Sequence, residues 1–458
     1  EVEEPELTKE EKESKDQLIE ALKSLVNFDI VVEKDLDSLL EYIHQRAKIF
    51  AFELEMDLSY ESYNKIYYYL CRDFVGMNEV EPMLRDFFIE DIECNGINTP
   101  IYIVHRYYRN IKTNIKLENL ARAESFTEKL AQRCGKHISY SQPILDGSLQ
   151  DGSRVNATYT RDITSRGPSF TIRKFTQTPW TPPQLVSFKT LSLEMMAYLW
   201  MLVEHKMNIL IAGGTGSGKT TLLNVLAFFI PPEARVVSIE DTRELNLMRE
   251  NWLPGVSRSA TGTGEFGEID LFTLLKASFR QRPDYIIVGE VRGKEAYVLF
   301  QGMASGHPSI STIHAESVET VIKRLETPPI ELPPTLMNVL DCVCIMGQAT
   351  INKQETRKVK EIVEIVNVEK SGAALTNTPF IWSPTDNEFY SKKTSKIFEK
   401  IALRYGKSRE EIEQEFRRRV QLLYLLIQQK KYGVHEVQDI INEYHKNPQG
   451  ILKKFGIV

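Results

Sequence analysis

Cysteine is scarce and poorly spaced for chemistry. The 458 residues hold five, Cys71, Cys94, Cys134, Cys342 and Cys344, scattered, odd in number and outside any CxxC arrangement. That indicates neither a disulfide framework nor a zinc site, and a reducing cytosol fits best. Long apolar runs are missing too. No stretch approaches the roughly 20 residues that cross a bilayer, so the chain is not expected to insert into one by itself. The opening EVEEPELTKEEKESKD is the opposite of a secretory signal, and a start at Glu1 rather than Met leads us to expect residues upstream. Nor is there an excess of positive charge. A formal net charge of -6 gives no polyanion-binding surface over the whole molecule, and nucleic acid is not suggested. Internal repeats and low-complexity blocks are absent as well.

What is present is ordinary globular material, 42% hydrophobic and 26% charged, in a chain long enough for two or three cores. Glu1 to about Asp16 is charge-dense and reads as a mobile arm or a solvated first helix turn. From Gln17, apolar residues at three and four spacing predict helices as far as about Phe88. Alternation in IEDIECNGINTPIYIVHR, LQDGSRVNATYT and GPSFTIRKF predicts strands around the helix LENLARAESFTEKLAQRCG. TQTPWTPPQLV carries three prolines and no periodicity, which marks a linker. After it, NILIAG, RVVSIED, DYIIVGE and SISTIH alternate with helical segments, the pattern of a parallel sheet covered on both faces. The expected organisation is an arm and helical region over 1–88, an α+β domain over 89–175, a linker over 176–190, an α/β phosphate-loop core over 191–330, and strands with a small helical subdomain over 331–458.

The chemistry starts at IAGGTGSGKTTLL. Gly213, Gly218, Lys219 and Thr220 match GxxxxGK[ST] directly after an apolar strand and at the start of a helix, the context the motif needs. Glycines let backbone N–H groups wrap a phosphate and the helix N-terminus favours its charge. Lys219 reaches the terminal phosphates, and the Thr220 hydroxyl ligates Mg²⁺. The candidate nucleotide-binding set is Gly213, Gly214, Thr215, Gly216, Ser217, Gly218, Lys219, Thr220 and Thr221. Hydrolysis also needs carboxylates for metal and water. Glu240 and Asp241 end one predicted strand and Glu290 ends the next, and the carboxyl ends of such strands converge on the ligand crevice. The alternative for each acid taken singly is a helix cap or solvated turn residue, and their agreement with the loop weighs against it. His307 and His314 bracket a further strand. His314 stands at its carboxyl end, where an imidazole could contact a γ-phosphate, and His307 reads as structural.

The order of these elements resembles the secretion-type ATPases that power type II and type IV secretion, type IV pili and the archaellum, over roughly Met83 to Glu369. The phosphate loop, the acidic box IEDTREL, the Walker B region RPDYIIVGEVRG and the histidine box GHPSISTIHAES carry the likeness. It implies a two-domain plan with a RecA-like core, a homo-hexameric ring, and ATP with Mg²⁺. It makes Glu240 the catalytic acid, Glu290 the Walker B glutamate beside the metal with Thr220, and His314 the histidine-box residue. First-domain arginines reach the nucleotide in this family, and Arg154 and Arg173 sit in the matching segments.

Asp241-Thr242 departs from the aspartate-proline pair of pilus and type II members, and no tetracysteine zinc module is present. ILDGSLQDGSRVNATY and TSRGPSFTIRKF look most like the archaeal branch, especially the archaellum motor ATPase. The resemblance therefore implies a cytoplasmic motor for an archaellum or type IV pilus-like filament. It would dock peripherally on an integral membrane platform protein, beside other cytoplasmic motor components, with Glu1 to about Phe88 making machine-specific contacts. A phosphate-loop kinase would need an acceptor pocket and lid, which nothing in the first domain identifies. A nucleic-acid translocase would need a basic or aromatic strand track.

Overall fold

A computed structural model of the chain describes residues 1–25, 36–175, 178–258, 267–351, 354–369, 371–392 and 394–457. They fall into two units, Glu1–Phe175 and Thr176–Val458.

The first unit opens with helices over Lys9–Leu25, Leu36–Glu53 and Tyr60–Leu70, which meet through Leu18, Leu22, Ile43, Ala47, Ile66 and Leu70. These are the apolar positions whose three and four spacing predicts the helices. The charge-dense opening is neither a mobile arm nor merely a solvated turn. Glu4 accepts two hydrogen bonds from Nη1 of the buried Arg72, at 2.8 and 2.9 Å. A buried guanidinium requires such a partner, and the need fixes residues that composition alone leaves loose. Thr8 and Glu11 then cap the first helix reciprocally.

An antiparallel sheet follows, of β1 (Ile89–Cys94), β2 (Pro100–His105), β3 (Arg109–Lys116), β4 (Ile144–Ser148), β5 (Arg154–Thr158) and β6 (Ser169–Arg173), in the order β3-β2-β1-β6-β5-β4. The helix Leu120–Arg133 lays Ala123, Phe126 and Leu130 against Ile92, Val155 and Ile172. The alternation predicts β1, β2, β5 and β6. β3 and β4 are the edge strands: β4 buries Leu145 alone, and β3 turns Ile111, Thr113 and Ile115 toward the core, an alternation among polar residues that the reading passes over.

The second unit is built on nine strands: β7 (Ile209–Gly213), β8 (Val236–Glu240), β9 (Trp252–Val256), β10 (Tyr285–Val291), β11 (Ser309–Ile313), β12 (Cys342–Ile351), β13 (Gln354–Val368), β14 (Ala374–Ser383) and β15 (Glu388–Ser391). Their order is β15-β14-β13-β12-β7-β11-β10-β8-β9, with pairing parallel from β12 to β9 and antiparallel from β12 outward to β15. Every residue of β7, β8 and β11 is buried. Successive residues serve opposite faces: Ile209 and Ile211 join one core with Trp200 and Leu222, while Leu210 and Ala212 join another with Ile286 and Phe300. This is the α/β sheet covered on both sides that the alternating strands and helices predict.

The C-terminal residues do not form a subdomain of their own. β12 pairs with β7 at the centre of the sheet, and Leu422, Leu423, Leu426, Val437 and Ile441 fill the same core as Trp200 and Phe229. Of the stretch expected as a linker, Thr176 and Gln177 lie outside the described residues. From 178 onward it holds a helix, Pro182–Ser187, with a Thr181–Gln184 capping box and with Pro182, Pro183 and Leu185 buried. Proline in a first helical turn costs no hydrogen bond, so the prolines that suggest a linker here start a helix. The end of the stretch is tied to β13, where the buried Lys358 donates to the Lys189 carbonyl at 2.6 Å and the Val359 N–H to that of Thr190 at 2.8 Å.

Candidate nucleotide site

β7 runs through the middle of the second unit into the glycine loop, and the helix Lys219–Ala227 begins directly after it. Gly216 and Gly218 have φ of 70° and 92°, a region that favours glycine. A Cβ on Gly213 would lie 2.7 Å from the Met346 carbonyl oxygen. Lys219 is half-buried and donates to the carbonyls of Gly213 and Gly214 at 3.0 and 2.9 Å. Burial is the main reason its ammonium loses its proton more readily than usual, opposed by the charges of Glu290 and Glu244. Thr220 and Thr221 sit in the first turn of the same helix.

Parallel pairing in the order β7-β11-β10-β8 brings the ends of these strands to one edge. His314 follows β11, and its Nε2 lies 3.0 Å from the Thr215 Oγ1. Burial first, then the Lys219 charge, holds its pKa below the ordinary histidine value, so the imidazole is neutral at pH 7. Glu290, on β10, accepts from Arg292 Nε at 2.8 Å, while its Oε1 is buried with no hydrogen-bond partner among the described residues. His307 precedes β11, edge-on to Phe279 and away from this edge.

Glu240 occupies a different kind of place from Glu290. It is 2% exposed, and its Oε1 accepts from the backbone N–H groups of Glu244 and Leu245, both at 2.9 Å. It thereby shapes the turn that presents the exposed Glu244, whose charge acts on Lys219. Glu244 is thus a carboxylate near the loop lysine that the reading of strand ends passes over. The available signal is its place within IEDTREL, one turn beyond the strand, where an acid can reach water. Burial raises the Glu240 pKa from 4.5 to about 7. An acid whose pKa is raised by folding contributes stability in full below pH 4.5 and loses that contribution as the pH rises through 7. Wild-type unfolding free energy, compared with that of Glu240→Gln, should therefore fall by on the order of 3 kcal/mol between pH 4.5 and pH 8. Denaturant titrations of both proteins across this range check it, and a constant difference would contradict it.

Arg154 and Arg173 lie in the first unit. The β5–β6 register sets them directly opposite one another, and β1 sets Asp91 opposite Arg173. Arg173 pairs with Asp91 at 3.2 Å and Arg154 with Asp146 at 3.3 Å, while the arginines remain 61% and 44% exposed. Two like charges face to face are unfavourable, and the flanking aspartates offset this on an otherwise solvated face. Among the described residues no cluster of His, Cys, Asp and Glu is suited to a metal by itself, and no helix is long and apolar enough to cross a membrane.

Residues 117–379 match the family model described as type II/IV secretion system protein. An uncharacterised protein of Methanocaldococcus jannaschii is 37% identical over 411 residues, covering 88% of this chain and 74% of that protein. The conjugal transfer protein TrbB of Rhizobium radiobacter is 32% identical over 256 residues, covering 54% of this chain and 75% of TrbB. The crystal structure of the VirB11 ATPase of the Brucella suis type IV secretion system aligns at 25% identity over 62% of this chain and 91% of that one, with a TM-score of 0.32. Family membership rests on the sequence matches and not on that overlay. An extended match to one family, in a molecule whose phosphate loop and strand-end acids converge on one edge of a parallel sheet, establishes that this chain belongs to the type II/IV secretion system protein family.

Proposed function

We propose that the chain works as a hexameric motor in which ATP hydrolysis drives assembly or rotation of an archaellum or type IV pilus-like filament. The observation that carries the reading is the convergence of Lys219, Glu290 and His314 on one edge from β7, β10 and β11. The loop N–H groups and Lys219 hold the phosphates. Mg²⁺, when bound, neutralises charge between the β- and γ-phosphates, and the Thr220 hydroxyl and Glu290 would hold it, hard oxygen donors of the kind the ion prefers. The buried Oε1 of Glu290, which finds no hydrogen-bond partner among the described residues, fits that role. Glu244 orients the attacking water from the exposed side, on a turn held by Glu240. His314, neutral and linked to Thr215 on the loop, reads the γ-phosphate end.

Arg154 and Arg173 supply the response to hydrolysis. Their guanidiniums are permanently charged and suited to bidentate phosphate contact, and the register of β5 and β6 presents them as a pair. Binding of ATP and its hydrolysis would alternately engage and release these arginines, the cycle by which chemistry becomes movement. In a ring, that cycle pushes on a membrane platform protein, placing the chain at the inner face of the cytoplasmic membrane. A kinase is distinguished by its need for an acceptor, and a translocase by a rate that changes with DNA.

The test is substitution of the arginines. Arg154→Ala and Arg173→Ala should leave ATP binding within a few-fold of wild type, cut hydrolysis about a hundred-fold, and weaken ATP-dependent hexamer formation seen by sedimentation. Arginine variants that assemble and hydrolyse at the wild-type rate would remove them from the mechanism.

A further inference from the structure

Four consecutive carbonyls of the phosphate loop each receive a side-chain donor. Lys219 serves Gly213 and Gly214, and Ser217 Oγ adds a bond to Gly214 at 2.8 Å. The next two are met from outside the loop. Gln348 on β12 donates from Nε2 to the Thr215 carbonyl at 3.3 Å, and Arg357 on β13 donates from Nε to the Gly216 carbonyl at 3.0 Å. Both side chains press on the loop. A Cβ on Gly216 would lie 2.9 Å from the Gln348 amide nitrogen, and one on Gly218 would lie 3.3 Å from the Arg357 Cδ.

A trans peptide points its C=O and its N–H in opposite directions. The Thr215 carbonyl is therefore paired with the Gly216 N–H, and the Gly216 carbonyl with the Ser217 N–H. The latter N–H makes only a long contact, 3.4 Å, to the Gly214 carbonyl. A loop that turns its N–H groups toward an anion must turn these carbonyls away from it, and a donor that grips the carbonyl fixes the direction of the N–H. Lys219 has to share its donors between its carbonyls and a bound phosphate. Gln348 and Arg357 do not depend on it, and an arginine can only donate.

We propose that Arg357, assisted by Gln348, is a positioning residue for the phosphate loop, holding the Gly216 and Thr215 carbonyls outward so that the loop stands ready to cradle a phosphate. The proposal rests on the nucleotide-binding part of the proposed function and not on motor action. The cradle serves the phosphates that ATP and ADP share, so loss of Arg357 weakens both nucleotides by the same factor and raises KM far more than it lowers kcat. A guanidinium that touched the γ-phosphate would weaken ATP alone.

The experiment is titration of Mg-ATP and Mg-ADP into the full chain by calorimetry, for wild type, Arg357→Ala, Arg357→Lys and Gln348→Ala, with steady-state hydrolysis measured in parallel. Arg357→Ala should raise Kd for both nucleotides by about ten-fold, the factor expected when a charge-assisted hydrogen bond is lost. Arg357→Lys should recover part of this, and Gln348→Ala should cost a few-fold. The nucleotide-free melting temperature should be unchanged in the lysine and Gln348 variants, which carry the test if the alanine variant does not fold. Wild-type affinity in the Arg357 variants, a loss confined to ATP, or a fall in kcat at unchanged KM would each overturn the proposal. A wild-type chain that binds neither nucleotide would overturn the proposed function together with it.

Discussion

Lys219→Ala should reduce ATP hydrolysis by about a hundred- to a thousand-fold and weaken nucleotide binding along with it. Two losses combine. The ammonium is the loop's proposed cation for the β- and γ-phosphates, and it is also the donor to the carbonyls of Gly213 and Gly214. Removing it takes away charge and leaves two backbone acceptors without that partner. Both Kd and kcat should therefore change, unlike the effect expected at Arg357. Nucleotide titration and phosphate release on the purified variant decide the matter. Unchanged hydrolysis would place the active site elsewhere.

Glu290→Gln should separate binding from turnover. The amide keeps the shape of the side chain but cannot carry the negative charge proposed to face the metal and water, so ATP should bind within a few-fold of wild type while turnover falls about a hundred-fold or more. Arg292 loses the ionic part of its contact with residue 290 in this variant, while the amide oxygen can still accept and Asp241 remains 3.8 Å away. The local cost falls on an exposed guanidinium and should leave the fold intact. A Glu290→Gln chain that turns over normally would shift the essential carboxylate to Glu244, and Glu244→Gln would then be the inactive variant.

The sequence makes the phosphate loop and the strands around it legible because β7, β8 and β11 are buried at every position and the loop's spacing is set by the phosphate it wraps. β12 is less visible. CVCIMG is a short apolar run far downstream of the loop, and nothing local says that it lies beside β7. For the same reason Gln348 and Arg357 escape a sequence reading, since they reach the loop only because β12 and β13 extend the sheet there. β9 is an edge strand with partly exposed residues and a proline. Glu240 is readable as a strand-end acid but not as a buried one, because burial depends on what packs over the strand, and so its exposed neighbour Glu244 goes unnoticed. The arginine pair stands at the opposite limit. Arg154 and Arg173 are brought to notice by family resemblance, and only the β5–β6 register makes them neighbours.

In the proposed motor the subunits hydrolyse ATP together and not singly. The most direct measurement is ATPase activity per subunit across a wide range of protein concentration, with oligomeric state followed in the same samples. Activity should be low in dilute solution and rise to a plateau as hexamers form, and the rise should be lost in Arg154→Ala and Arg173→Ala. A specific activity that stays flat over the whole range, with the arginine variants as active as wild type, would mean that each chain works alone and would contradict the proposed motor.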